Sequence, residues 1–137
     1  MERIGLRDVL AKDGVGEILL ARNRNHKLAA TDTGADGVDE SGARYEYKVS
    51  VTDQFNFHFG TREEHDSPET KVRRHFEQLA GAICAKRSGA TFERIVFIPS
   101  ETLVPFLIDH FNGTTGKQLN KNFRFAGLLA LKDSKEL

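Results

Sequence analysis

The chain has 137 residues, 20 acidic and 20 basic side chains and hence no formal net charge, 39% hydrophobic residues and no tryptophan. This length predicts one domain spanning residues 1–137, and the charge balance excludes a polycation, so positive charge for nucleic acid must be local. A single cysteine, Cys84, excludes an internal disulfide framework and fits a reducing cytoplasm, no apolar run reaches the ~18 residues of a membrane span, and the N-terminus lacks a signal peptide's apolar region.

Residues 1–22 read as helix in two pieces. Leu6, Val9 and Leu10 give a short apolar stripe, Asp13-Gly14 interrupts it, and Val15, Ile18 and Leu19 resume the spacing with Leu20 alongside. Glu17 lies in the second piece among apolar neighbours, either as a solvated helix position or as an acid turned toward a site. Arg22-Asn23-Arg24-Asn25-His26-Lys27 reads as a basic polar linker, a solvated loop or a phosphate contact. His26 fits that surface better than a metal site. Leu28 to Thr31 is a short strand, and Thr33-Gly34 turns the chain onward.

The stretch from Gly34 to Val51 reads as a β-hairpin. Its first strand ends in acidic residues, Ser41-Gly42 carries the turn, and the second strand runs from Arg44 to Val51. Glu46 and Lys48 stand two residues apart there and so share one face. Asp36 lies ten residues before Glu46, on the other arm. Two carboxylates and a lysine on one sheet face are costly to desolvate unless something binds them. A divalent cation is the natural partner, and Mg²⁺ uses about one or two carboxylates with water and substrate phosphate. Asp39 is the rival to Asp36: a one-residue register slip swaps faces, although Asp39 also suits the turn.

Phe55, Phe57 and Phe59 then alternate with Asn56 and His58, the period of a strand with one buried face. Asn56 and His58 read as outward polar residues; if the strand adjoins the hairpin they line the same cleft. Thr61 to Asp66 is a polar loop. Ser67-Pro68-Glu69 starts a helix with an N-cap, a proline at the first position and an acid in the first turn. Val72, Phe76, Leu79, Ala80, Ile83 and Cys84 continue as a helical stripe to Gly89, placing Cys84 in the core. Lys71, Arg73, Arg74 and His75 form either a local basic patch or an ordinary solvated face. Thr91 to Ile98 reads as a central strand, Ser100 caps a helix through Phe111, and Asn112-Gly113 stops it. Thr114 to Lys121 is a polar loop, Asn122 to Lys132 a last strand and Asp133 to Leu137 a tail.

The order of helix, strand, hairpin, helix and strand, with Asp36…Glu46-Tyr47-Lys48 on the hairpin, resembles the PD-(D/E)XK nuclease superfamily from about Val15 to Ile98. Gly34-Ala35-Asp36 is similar to the helicase-nuclease branch, as is Gln78 on the following helix. Ala82 stands where that branch has an aromatic residue, and Ala35 where the superfamily's name has proline. The resemblance implies an α/β (α+β) fold, a restriction-endonuclease-like core with a mixed central β-sheet flanked by helices.

The resemblance also implies a Mg²⁺-dependent endonuclease acting on DNA, with Mn²⁺ able to substitute. Asp36, Glu46 and the main-chain carbonyl of Tyr47 would hold the metal. Lys48 would orient the attacking water, and Glu17 would match an acid on the family's first helix. A chain this short would cut both strands most simply as a homodimer, and its size leaves little room for a base-reading domain, which favours a structure-selective junction resolvase, a minimal restriction enzyme or the catalytic piece of something larger. Two alternatives stay open. One is a non-catalytic nucleic-acid-binding or assembly module on the same fold; the other is an unrelated α/β protein whose Glu46 and Lys48 merely pair on a surface strand.

Overall fold

A computed structural model describes residues 14–29, 35–62 and 67–137. The expected helical piece at Leu6 to Leu10 and the turn at Thr33-Gly34 lie outside them. Helix α1 (Gly14–Arg24) leads into strands β1 (Lys27–Leu28), β2 (Gly37–Val38) and β3 (Arg44–Ser50). Strand β4 (Gln54–Thr61), helix α2 (Pro68–Phe76), and strands β5 (Gly81–Ser88) and β6 (Thr91–Pro99) follow. Helix α3 (Ser100–Asn112), strand β7 (Gln118–Arg124), helix α4 (Phe125–Leu129) and strand β8 (Lys135–Glu136) complete the order. Among the described residues no helix is long and apolar enough to cross a membrane.

Six strands form a mixed sheet in the order β1-β2-β3-β5-β6-β8, and β4 pairs with β7 in a separate two-stranded ribbon. Within the large sheet β3 and β5 are parallel and every other pair is antiparallel. A parallel neighbour needs a crossover, and β4 with α2 supplies it.

Alternation along β3 divides its side chains between two cores. Tyr45, Tyr47 and Val49 join Leu20, Ala21, Ile83, Ala85 and Ile95 under α1. On the opposite face Ala82, Cys84, Val96 and Ile98 pack with Val72 and Phe76 of α2, Leu103 and Leu107 of α3, and Phe55 and Phe57 of β4. Glu46 and Lys48 belong to this second face. Phe55 and Phe57 are fully buried, and at about 1.5–3 kcal/mol for each side chain they pin the ribbon to the body. Arg62 ties its end: Nε donates to the Gly116 carbonyl (2.7 Å), and the guanidinium reaches the Thr114 carbonyl (2.7 Å) and that of Phe111.

The expected hairpin forms. Gly37 pairs with Tyr45 and Val38 with Arg44. Gly37 has to be glycine, since a β-carbon there would lie 1.9 Å from the Tyr47 hydroxyl oxygen. The helix start at Ser67 also forms: the Thr70 amide donates to Ser67 Oγ at 3.2 Å, with Pro68 next in line.

Five expectations are corrected. The helix from Ser67 to Gly89 ends at Phe76, and residues 81–88 are strand β5. Ala82 to Ala85 are all buried because this strand is covered on both faces, and a continuous apolar run satisfies helical spacing as readily as a central strand. At Gly81 an added β-carbon would fall 2.2 Å from the Ile98 carbonyl oxygen, so glycine permits the close pairing. The strand predicted from Asn122 to Lys132 is instead β7, starting earlier at Gln118, followed by the turn of helix α4. Position Pro99, not Ser100, is the N-cap of α3; the Ser100 hydroxyl donates to the Leu79 carbonyl (2.7 Å). The basic linker is partly the end of α1, which stops where Asn25 takes a left-handed φ of 57°. The tail also contributes: β8 pairs with β6, and Arg94 makes two bonds to Glu136 (2.8 and 2.7 Å).

Candidate active site

Asp36 stands at the entry to β2, and Glu46 and Lys48 sit on β3. The Tyr47 amide donates to Asp36 Oδ2 at 2.8 Å, which turns the Asp36 carboxylate onto β3. Burial pushes the Asp36 carboxyl up; the Tyr47 amide opposes that, and the neighbouring Glu46 charge raises it further. The Lys48 ammonium acts in the opposite direction.

Glu46 is only 8% exposed. Its Oε1 accepts a hydrogen bond from His75 Nε2 (2.8 Å) and lies 3.6 Å from Lys48 Nζ. Burial favours the neutral acid, but the His75 bond and the Lys48 charge outweigh it and hold the carboxyl below its usual range. The second oxygen, Oε2, is buried and has no hydrogen-bond partner among the described residues. Lys48 Nζ also lies 5.1 Å from the centre of the Phe57 ring, which holds the ammonium over an apolar floor.

Asp39 does something else. Its Oδ1 accepts from the Ser41 amide (2.9 Å), the Ser41 hydroxyl (2.7 Å) and the Ala43 amide (3.0 Å), and its Oδ2 from the Tyr45 hydroxyl (2.7 Å). These bonds to Ser41 and Tyr45 lower its pKa to about 2. Asp39 closes the turn, and Asp36 is the carboxylate that faces Glu46.

Glu17 on α1 lines a cleft of about 400 Å³ with Lys48, Ser50, Gln54 and Asn56. It shares a wall with Lys48, and its charge acts on Tyr47. A second cleft, on the other side, is lined by His58, Phe59, Lys71, Arg74 and His75. The Tyr47 side chain points away from the carboxylates: its hydroxyl and His26 Nδ1 are hydrogen-bonded at 2.7 Å, and His26 stacks on Tyr45. Only the Tyr47 main chain belongs to the site. Gln78 lies beyond the end of α2, where Oε1 accepts from Arg44 (3.2 Å). Cys84 is fully buried, and burial pushes its thiol up, as a core residue requires.

His75 is the residue whose role the linear sequence conceals. It reads as one of four polar residues on a helix face. In the fold it stands one residue before buried Phe76, at the edge of the apolar stripe, where its ring reaches Glu46 on β3. Its ring sits edge-on to Phe59 and Phe76.

Among the described residues no three His, Cys, Asp or Glu side chains form a ready metal-ligand group. The arrangement is a two-carboxylate one, which suits a cation that keeps water and takes its remaining ligands from substrate. The orphaned, buried Glu46 Oε2 beside the raised Asp36 carboxyl is the feature that fits a cation. No protein-family model matches the chain, and no curated protein matches it in sequence.

Proposed function

We propose that the protein is a Mg²⁺-dependent endonuclease on a restriction-endonuclease-like core, hydrolysing phosphodiester bonds in DNA. Its fold supports this reading through the order α1, β1-β2-β3 antiparallel, then a helical crossover into β5 parallel to β3. The observation that carries the reading is the buried Glu46 Oε2: a carboxylate oxygen with no hydrogen-bond partner among the described residues, next to a second carboxylate, leaves room for a further positive ligand.

Asp36, Glu46 and the Tyr47 carbonyl would hold the ion, which when bound supplies Lewis-acid polarisation of the phosphate and a more acidic water. The chain's own groups do the rest. His75 and Lys48 keep Glu46 ionised and fix its Oε1. Lys48 carries a point charge beside the carboxylates, where it orients a water and offsets negative charge growing on the phosphate. Glu17, on the wall of the Lys48 cleft, is placed to bind water at the rim. Ser50 lines the Lys48 cleft and Cys84 is the buried β5 neighbour of Lys48; direct attack by water requires neither. A homodimer would present two such sites to the two strands of a duplex.

The test is incubation with plasmid, branched and single-stranded DNA in Mg²⁺ and in chelator. The reading predicts cleavage in Mg²⁺, none in chelator, and loss of cleavage in Lys48→Ala. Chelator-resistant cleavage, or full activity in Lys48→Ala, contradicts it.

A further inference from the structure

The β4–β7 ribbon turns Phe55, Phe57 and Leu119 into the core and six polar residues outward. Gln54 faces Arg124, Asn56 faces Asn122, and His58 faces Asn120, all six exposed. No carboxylate stands among them. Asparagine is disfavoured in strands, yet three are set side by side here, a local cost that packing does not explain because none is buried. Asn56 Nδ2 donates to Asn122 Oδ1 (2.9 Å) and to Asn120 Oδ1. Those bonds fix the amides in a row. No bond among the described residues engages Asn56 Oδ1 or the amide nitrogens of Asn120 and Asn122, so the row presents both acceptor and donors.

We infer that this ribbon face is a base-reading surface that enters the major groove of double-stranded DNA. The inference rests on the nuclease reading for its substrate class and adds to it a site of sequence recognition. Three features favour this occupant. Neutral amides add nothing to the sequence-independent attraction of phosphates, but they match base edges, and Asn or Gln pairs two-pronged with adenine. Rows on one ribbon face recur every ~6.8 Å, twice the ~3.4 Å rise between bases, and a two-stranded ribbon fits the groove's ~12 Å width. The face is also continuous with the candidate site. Asn56 lines the cleft that holds Lys48 and Glu17, and His58 lines the cleft that holds His75, Lys71 and Arg74. Lys71, Arg74 and Arg124 flank the amide row with the charge that phosphates need. Recognition therefore requires no separate domain.

The experiment is selection from a pool of random-sequence DNA duplexes in chelator, where binding proceeds without cleavage, followed by affinity measurement on the enriched and scrambled duplexes. Wild type is expected to enrich a sequence. Asn122→Ala and Asn120→Ala should each lose about tenfold preference for the enriched duplex while binding scrambled duplex within about twofold of wild type. Both changes are exposed, and an unchanged melting temperature shows that the fold is intact. No enrichment by wild type, preference retained in both asparagine variants, or tighter binding to single-stranded DNA or RNA than to any duplex overturns the ribbon as a reader. The nuclease reading fails separately, by absence of Mg²⁺-dependent cleavage of the enriched duplex.

Discussion

Asp36 and Asp39 flank the two residues of β2, and their surroundings are opposite. Asp39 is partly exposed and accepts four hydrogen bonds, which lower its pKa to about 2. Asp36 is also partly buried, accepts one bond among the described residues, from the Tyr47 main-chain amide, and has its pKa raised by burial and by Glu46. The contrast teaches which carboxylate the fold has satisfied and which it has left wanting. A satisfied carboxylate stabilises a turn. One less satisfied, beside a second carboxylate whose buried oxygen has no hydrogen-bond partner among the described residues, stores a demand for positive charge that a ligand can meet.

The largest test of that contrast is at the reactive end of the hairpin. Replacing Lys48 by alanine is expected to lower the Mg²⁺-dependent cleavage rate by at least about 10²–10³-fold, measured on plasmid DNA under single-turnover conditions. Asp39→Ala should leave that rate within about twofold, on the scale of a residue outside the chemistry. Equal losses in the two variants would erase the distinction.

Stability sharpens the same comparison with opposite signs. A carboxylate with a raised folded pKa binds its proton more tightly when folded, so its contribution falls as pH rises from the unfolded value through the folded one. Asp36→Asn should therefore raise the melting temperature of the metal-free protein near neutral pH while abolishing activity, a trade of stability against function. Asp39 has the reverse sign. Its contribution is present above the unfolded value and is lost as pH falls from about 4 toward about 2. Asp39→Ala should lower the melting temperature at pH 6 and narrow its difference from wild type over that acidic window, as followed by circular dichroism.

A smaller effect is expected one residue from Asp36. Gly37→Ala forces a β-carbon onto the Tyr47 ring, and overpacking of that kind costs about 1–3 kcal/mol. Chemical denaturation should show the loss, accompanied by weaker protection of the β2–β3 amides in hydrogen exchange.

Much of this was legible in the sequence because it is local. The Ser41-Gly42 turn and the alternation on β3 suffice for a hairpin that brings Asp36 toward Glu46-Tyr47-Lys48, and Ser67-Pro68 suffices for the start of α2. The end of α2 was not legible. Val72 to Cys84 satisfy helical spacing, while the chain obeys the covering of β5 on both faces, a tertiary fact. His75 was hidden for the same reason: its bond to Glu46 spans 29 residues and leaves no periodic trace. Asn56 and His58 showed their outward direction but not their partner strand, since β7 lies more than sixty residues away in sequence.

The central claim is that the two arms of the hairpin form a cation site at Asp36 and Glu46. Calorimetric titration of Mn²⁺ into the wild type, Asp36→Asn and Asp39→Asn proteins tests it most directly. The account predicts saturable binding in the wild type and Asp39→Asn proteins, with thermal stabilisation that grows with metal concentration, and no binding in Asp36→Asn. Equal binding by all three, or none by the wild type, contradicts it.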